Sequence, residues 1–284
     1  MGFLDGRVAI VTGAARGLGR EHALLFASEG AQVVVNDRPD SSHSAAEVVD
    51  QIKALGGEAV LNTDDVSDWE AGRRLIETAV GTFGDVHVLV NNAGILRDRL
   101  IFNMSEEEWD TVIDIDLKGH FVPLRHAAAY WRDRAKAGDE VRACVINTSS
   151  TSGLIGNPGQ TNYGAAKAGV GALTLIAAEE LGRYGIRVNA IAPAARTRLT
   201  ESTPGLGDMV APPDDPERFD EWDPANASPL VAWLAGADCP VTGSVFYCFG
   251  GTIAPMTGWS RRPGISRSDR WTIDAIAAEL PAIL

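Results

Sequence analysis

The sequence predicts a single-domain α/β protein built on a doubly wound parallel sheet. Three observations carry that reading. Short β-branched runs recur along the chain, each is followed by a helix-compatible stretch, and the segments rich in chemistry fall where strands end. Apolar runs without polar alternation are strands buried on both faces, so helices are expected on both sides of about seven strands.

The elements follow in order. Arg7-Val-Ala-Ile-Val-Thr12 reads as the first strand and leads through Gly13-Ala-Ala-Arg-Gly17-Leu-Gly19 into a helix over Arg20–Glu29. Gln32-Val-Val-Val-Asn36 is the second strand, Ser44–Leu55 a helix stopped by Gly56-Gly57, and Glu58–Asn62 the third strand. Trp69–Phe83 is helical, and Val86–Val90 is a strand running into Asn91-Asn-Ala-Gly94. Ser105 followed by Glu108 forms a capping box that opens a long helix through about Ala135. Cys144–Thr148 is the fifth strand, Tyr163–Tyr184 a helix and Arg187–Ala192 the sixth strand. Asn226–Leu234 is a helix and Val245–Phe249 the last strand. The irregular stretch 194–223, rich in proline, glycine and acids, reads as a substrate lid. The domain is expected over 1–258, with 259–284 as a C-terminal extension.

In such sheets ligands bind beyond the carboxyl ends of the strands. The first strand–helix turn has the spacing Gly-x-x-x-Gly-x-Gly, where backbone N–H groups can approach a pyrophosphate at a helix N-terminus. Asp37, at the end of the second strand, is placed to bond adenosine ribose hydroxyls and to repel a 2′-phosphate. NAD is therefore expected rather than NADP, although Arg38 follows immediately. Tyr163 and Lys167 stand four apart on a helix and so share a face. A neighbouring ammonium favours phenolate, which makes Tyr163 a proton shuttle. Ser150, thirteen residues upstream, ends a strand where its hydroxyl can donate to a carbonyl oxygen.

Composition narrows the classes. The net charge of −13 argues against nucleic acid and anionic membranes as partners. No apolar stretch approaches the ~20 residues needed to span a bilayer. The first six residues lead directly into a strand, which argues against a secretory signal and for a cytoplasmic location. Cys144, Cys239 and Cys248 lack ligand spacing and fit buried thiols. His22, His43, His87, His120 and His126 are scattered, so no metal site is expected. Glu201–Asp223 holds eight acids against one arginine, whereas Arg261, Arg262, Arg267 and Arg270 crowd the tail. That cluster is a solvated surface, a subunit contact or a grip on a phosphate-bearing substrate.

Thr12-Gly-x-x-x-Gly-x-Gly19, Asp65-Val66, Asn91-Asn-Ala-Gly94, Ser150, Tyr163-x-x-x-Lys167 and Ile191-Ala-Pro193 together resemble the short-chain dehydrogenase/reductase family, over about residues 5–252. The resemblance implies a Rossmann-like sheet and a dimeric or tetrameric enzyme. Asn91–Arg99, Ser152–Gln160, Asn189–Pro193 and Gly258-Trp-Ser-Arg261 are most similar to the (3R)-hydroxyacyl-CoA dehydrogenase units of type 2 peroxisomal multifunctional enzymes, also described as type 4 17β-hydroxysteroid dehydrogenases. The family pattern places Gly13, Arg16, Gly17, Leu18 and Gly19 at the pyrophosphate, Asp37 at the adenosine ribose and Asp65-Val66 at the adenine. Asn92, Ala93 and Gly94 would line the cofactor ribose region and Pro193 the nicotinamide, with Lys167 on the nicotinamide ribose. Ser150, Tyr163 and Lys167 would be catalytic.

Two positions depart from the pattern. Asp116 stands where the family commonly has a fourth catalytic residue, an asparagine, and an ionised carboxylate cannot donate as an amide does. Ala194 stands where glycine commonly follows Pro193. The implied reaction interconverts a secondary alcohol and a ketone. The resemblance puts a 3-hydroxyacyl-CoA or steroid-derived substrate first, while the acidic lid, which repels CoA, favours a hydroxysteroid or other neutral alcohol as the alternative. A catalytically silent NAD-binding protein is the remote third reading.

Overall fold

The structure, a computed structural model, describes residues 2–39, 44–197, 200, 210–215, 217–258 and 260–283. His43, Trp259 and much of the expected lid (198–199, 201–209 and 216) lie outside the described residues.

Eight strands form one sheet: β1 (Val8–Thr12), β2 (Gln32–Asn36), β3 (Glu58–Asn62), β4 (Val88–Asn91), β5 (Ala143–Thr148), β6 (Ile186–Ala194), β7 (Val245–Phe249) and β8 (Thr252–Pro255), in the order β3-β2-β1-β4-β5-β6-β7-β8. The first seven pair in parallel, while β8 returns antiparallel on β7. The eighth strand exceeds the seven expected. Its exposed residues carry no burial pattern, and only pairing with β7 makes it a strand.

Alternation within each strand feeds two cores. Ala9 and Val11 of β1 face one apolar layer with α1 (Gly17–Ser28), α2 (Ala45–Ala54) and α8 (Ser228–Ala235). Val8 and Ile10 face the other, with α3 (Trp69–Phe83), α5 (Gly119–Ala137) and α7 (Thr161–Leu181). The chain order reverses direction between β1 and β4, the switch point at which a crevice opens.

The long helix expected from Ser105 to about Ala135 is composite. Its capping box is present, with Glu108 N–H donating to Ser105 Oγ at 3.2 Å and Ser105 N–H to Glu108 Oε2 at 3.0 Å. After α4 (Glu106–Ile113), however, the chain makes one wide π-helical turn over Asp114–Lys118 before α5 begins. Pro123 sits inside α5 and lacks the N–H that would bond the carbonyl four residues back, close to the wide turn. Asp116 lies within this turn. A short α6 (Thr151–Leu154) and an exposed tail helix α9 (Ile273–Glu279) also went unanticipated, being too short to show periodicity.

Candidate active site

The crevice is built from backbone first. Gly13 and Gly17 adopt φ of +64° and +53°, a left-handed conformation that L side chains rarely take. A Cβ on Gly13 would stand 2.8 Å from Ala93 Cα, and one on Gly19 would stand 2.3 Å from the Gly13 carbonyl oxygen. The turn therefore lies flat against the Asn92–Gly94 segment. Thr12 Oγ1 holds the two together by accepting from Asn92 N–H at 3.0 Å and Ala93 N–H at 3.1 Å. The Asn92 amide donates back to the Thr12 and Gly13 carbonyls at 3.0 and 3.2 Å.

Asp37 leaves the end of β2 and accepts from Ala15 N–H at 3.0 Å, which fixes its carboxylate against the glycine turn. Asp65 accepts from both Ser67 N–H (2.9 Å) and Ser67 Oγ (2.8 Å) and pairs with Arg38 at 3.0 Å. Ser67 and Arg38 hold its carboxyl below the usual range against the opposing effect of burial. Val66 is buried and packs where Gly119 has no side chain. Arg16 caps the start of α1 with extended backbone, and Leu18 packs against the first core. Pro193 pairs with Cys248 near the end of β6. These positions lie at or just beyond the carboxyl ends of β1, β2, β3, β4 and β6.

That crevice suits a dinucleotide. Its glycine turn gives close backbone access at the start of α1, and its anchored acid follows on β2. Replacing Gly19 by alanine tests the fit. The added Cβ forces the Gly13 carbonyl aside, an overpacking cost of about 1–3 kcal/mol. The expected result in a thermal melt and a cofactor titration is a lower melting temperature with nicotinamide dinucleotide binding weakened roughly tenfold, about 1.4 kcal/mol.

The second half of the site comes from β5, α6 and α7. Ser150 caps α6, and its Oγ accepts from Ser152 N–H at 3.2 Å. A Cβ on Gly153 would meet Ala168 N at 2.4 Å, so α6 lies directly on α7 and brings Ser150 to Tyr163. Ser149 Oγ donates to the Lys167 carbonyl at 2.8 Å, tying β5 to the same helix. Tyr163 and Lys167 share a face as expected, with Lys167 Nζ 5.5 Å from the phenol ring centroid.

The electrostatics differ from the sequence expectation. Lys167 does not stand beside the Tyr163 phenol as an isolated charge, because it is paired with Asp116. Lys167 Nζ lies 3.3 Å from Asp116 Oδ2, with the two side chains 2% and 0% exposed. Burial, reinforced by the Asp116 charge, pushes the Tyr163 phenol above its usual value, against the Ser150 hydroxyl, which favours the phenolate. Burial also raises the Asp116 carboxyl and lowers the Lys167 ammonium, although each partner opposes the shift of the other. Asp116 Oδ1 accepts from Ile95 N–H at 2.8 Å.

Other residues that hold Tyr163 in place were not singled out in the sequence. Asn162 is fully buried, accepts from Tyr163 N–H at 2.8 Å, and donates to the Arg97 and Glu108 carbonyls at 3.0 Å each. Gln160 donates to Asp98 Oδ2 at 2.9 Å and accepts from Ser152 Oγ (2.7 Å) and Asn157 Nδ2 (2.9 Å). Their position beside Tyr163 was the available signal, but their partners lie in distant loops.

A glycine turn facing an anchored acid, with a serine, a tyrosine and a buried lysine at its far end, defines a nicotinamide-dependent oxidoreductase acting on CH–OH groups. The chain belongs to the short chain dehydrogenase family, whose pattern matches residues 7–206. It is 49% identical over 254 residues to the hydroxyacyl-CoA dehydrogenase ChsB1 of Mycobacterium tuberculosis, covering 87% of this chain and 78% of that protein. It is 42% identical over 265 residues to the peroxisomal multifunctional enzyme type 2 of Drosophila melanogaster, covering 91% of this chain but 40% of that longer protein. The crystal structure of a short chain dehydrogenase from Mycobacterium avium superposes with a TM-score of 0.89 at 51% identity, covering 99% of this chain and 96% of that one.

Proposed function

We propose that this enzyme is an NAD-dependent dehydrogenase interconverting a 3-hydroxyacyl-CoA, or a steroid-derived thioester, with its 3-oxo form. The observation that carries the reading is the Ser150–Tyr163–Lys167 constellation in a chain half identical to a hydroxyacyl-CoA dehydrogenase. When bound, the nicotinamide supplies the hydride acceptor in oxidation and the hydride donor in reduction.

The chain's own residues handle position and proton. Gly13, Arg16, Gly17, Leu18 and Gly19 receive the pyrophosphate, and Asp37 the adenosine ribose. Asp65 and Val66 border the adenine, Asn92, Ala93 and Gly94 the ribose, and Pro193 the nicotinamide. Asp37 favours NAD over NADP, since its anchored carboxylate repels a 2′-phosphate while Arg38 is turned to Asp65. In oxidation Tyr163 as phenolate draws the alcohol proton, and Ser150 donates to the substrate oxygen as charge develops. Lys167, held by Asp116, orients the cofactor ribose.

Several features bear on the setting. The described base of the lid is anchored by Arg196, which donates to the Val210 carbonyl at 2.9 Å and pairs with Asp220. Trp222 packs edge-on to Phe249 at 4.8 Å. Phe121 on α5 and Ile176 on α7 are exposed apolar groups, which supports a homodimer or homotetramer. Three free, buried cysteines support a reducing, cytoplasmic setting, and no helix among the described residues is long and apolar enough to cross a membrane. A neutral hydroxysteroid is the second reading, favoured by the acids of the lid.

Steady-state turnover of a matched pair, a 3-hydroxyacyl-CoA and a 17β-hydroxysteroid, each with NAD and with NADP, tests the proposal. The expected result is a kcat/KM preference for the thioester of roughly tenfold or more, about 1.4 kcal/mol at the transition state, with NAD preferred. A preference for the steroid would replace this substrate class with the neutral-alcohol reading.

A further inference from the structure

The segment that follows Asn92–Gly94 crosses to the loop between Ser150 and Tyr163 and is bonded to it at three consecutive positions. Arg99 N–H donates to the Gly159 carbonyl at 2.8 Å, and Asp98 Oδ2 accepts from Gln160 Nε2 at 2.9 Å. The Arg97 carbonyl accepts from Asn162 Nδ2 at 3.0 Å. Ser150 and Tyr163 both hang on these bonds. Ser150 Oγ accepts from Ser152 N–H, and Ser152 Oγ donates to Gln160 Oε1, the amide that Asp98 holds. Tyr163 N–H donates to Asn162 Oδ1. The loop has little else to fix it. Residues 155–158 are exposed, and a Cβ on Gly156 or Gly159 would meet nothing within 4 Å beyond its chain neighbours.

We propose that Asp98 is a positioning residue of this reaction, which latches the segment after β4 to the loop presenting Ser150 and Tyr163 and sets a negative charge near the phenol. The proposal rests on the dehydrogenase reading above and adds a residue to it. A side-chain amide at position 98 would accept from Gln160 as well as a carboxylate does, so the hydrogen bond alone does not account for an acid here. The second oxygen, Asp98 Oδ1, is buried and takes no hydrogen bond among the described residues. A buried carboxylate oxygen ordinarily gathers donors, and one without them is costly to keep. The charge is what distinguishes Asp98 from an amide, and that charge acts on Tyr163.

The charged groups around the phenol come from three elements. Lys167 of α7 is paired with Asp116 of the wide turn before α5, while Asp116 and Asp98 both add negative field at Tyr163. The cations beside Asp98 are engaged elsewhere. Arg99 pairs with Glu108 of α4 at 3.1 Å, and Arg97 donates to the Leu96 carbonyl at 2.8 Å. A nearby negative charge disfavours phenolate, so Asp98 favours the protonated Tyr163 that reduction needs. The latch contributes separately. Gln160 is the buried end of an exposed loop, so cutting its tie to Asp98 frees the chain between Ser150 and Tyr163. A displacement of about 1 Å at a reacting group can cost on the order of 100-fold in rate.

Three variants separate the charge from the latch. Asp98→Asn keeps an acceptor for Gln160 but removes the charge, Gln160→Leu keeps the charge but removes the latch, and Asp98→Ala removes both. Oxidative kcat/KM for a 3-hydroxyacyl-CoA with NAD is measured against pH. Amide hydrogen exchange over residues 151–163 is followed by mass spectrometry in the cofactor-free enzyme. In Asp98→Asn the rising limb of the pH profile should move to lower pH, because phenolate forms more readily, while exchange stays as in wild type. In Gln160→Leu and Asp98→Ala exchange should quicken and kcat should fall by about ten- to a hundredfold, with circular dichroism confirming that each folds. Should Asp98→Ala fail to fold, the other two variants still decide the charge and the latch. An Asp98→Asn profile superimposable on wild type, or unchanged exchange in Gln160→Leu, would overturn the proposal. Absence of NADH formation by wild type would instead count against the dehydrogenase reading, and the exchange measurement would still decide whether the latch exists.

Discussion

Replacing Tyr163 by phenylalanine is expected to abolish turnover while leaving NAD affinity nearly unchanged. The substitution removes only the phenol oxygen, so the ring's packing on α7 and the glycine turn proposed to receive the cofactor remain. General acid–base catalysis of this kind contributes on the order of 10²–10⁴-fold. Retention of more than a few per cent of wild-type kcat, checked in a steady-state assay beside a cofactor titration, would remove Tyr163 from the mechanism. The pH dependence follows from the same group. Burial and Asp116 push the phenol above its ordinary value, and oxidation needs the phenolate. Oxidative kcat/KM should therefore climb with pH across and above the neutral range. Reduction needs the phenol, so its rate should stay level until the pH passes the phenol's pKa and then fall.

The largest stability effect is expected at Lys167. Changing it to methionine leaves the Asp116 carboxylate buried without its counter-charge, which costs about 3–5 kcal/mol for a broken buried pair. The carboxyl can escape part of that cost by taking up a proton, which makes the loss pH-dependent. In the folded variant Asp116 titrates above its unfolded value, because burial acts with no ammonium to oppose it. The folded state then binds more protons than the unfolded state between those two values, so stability falls as pH rises. The penalty should be absent below the ordinary aspartate value of about 3.9 and complete above the raised one. Denaturant unfolding across that window checks the slope. The double variant Lys167→Met with Asp116→Leu should recover most of the stability but no activity, because replacing both partners removes the stranded charge.

These two residues also show how far the sequence could be read. Tyr163 and Lys167 were placed on one face by helical spacing alone, and the glycine turn and Asp37 followed from the order of strand, turn and helix. Such features depend on neighbours a few residues away. The Lys167–Asp116 pair depends on which turn of another helix comes to rest beside α7, and no local pattern encodes that. The sequence reading therefore let an unopposed ammonium act on the phenol, whereas Asp116 engages it and adds its own negative field.

The π turn that carries Asp116 was hidden for a related reason. Its capping box and apolar spacing read as the start of one long helix, and a single i+5 turn changes too few positions to alter that pattern. β8 is the mirror case, since nothing in Thr252–Pro255 demands a strand until β7 offers an edge. Asn162 looked like an ordinary polar residue in a motif. Its significance comes from complete burial, which composition does not reveal.

The central claim is that this crevice moves hydride between a secondary alcohol and a nicotinamide under the control of Tyr163. The most direct test is to incubate the enzyme with NAD and a 3-hydroxyacyl-CoA deuterated at the carbinol carbon, then weigh the reduced cofactor by mass spectrometry. The account predicts that the deuterium is recovered on the nicotinamide with wild type and that no labelled cofactor forms with Tyr163→Phe. Deuterium lost to water, or equal labelling by the variant, would contradict it.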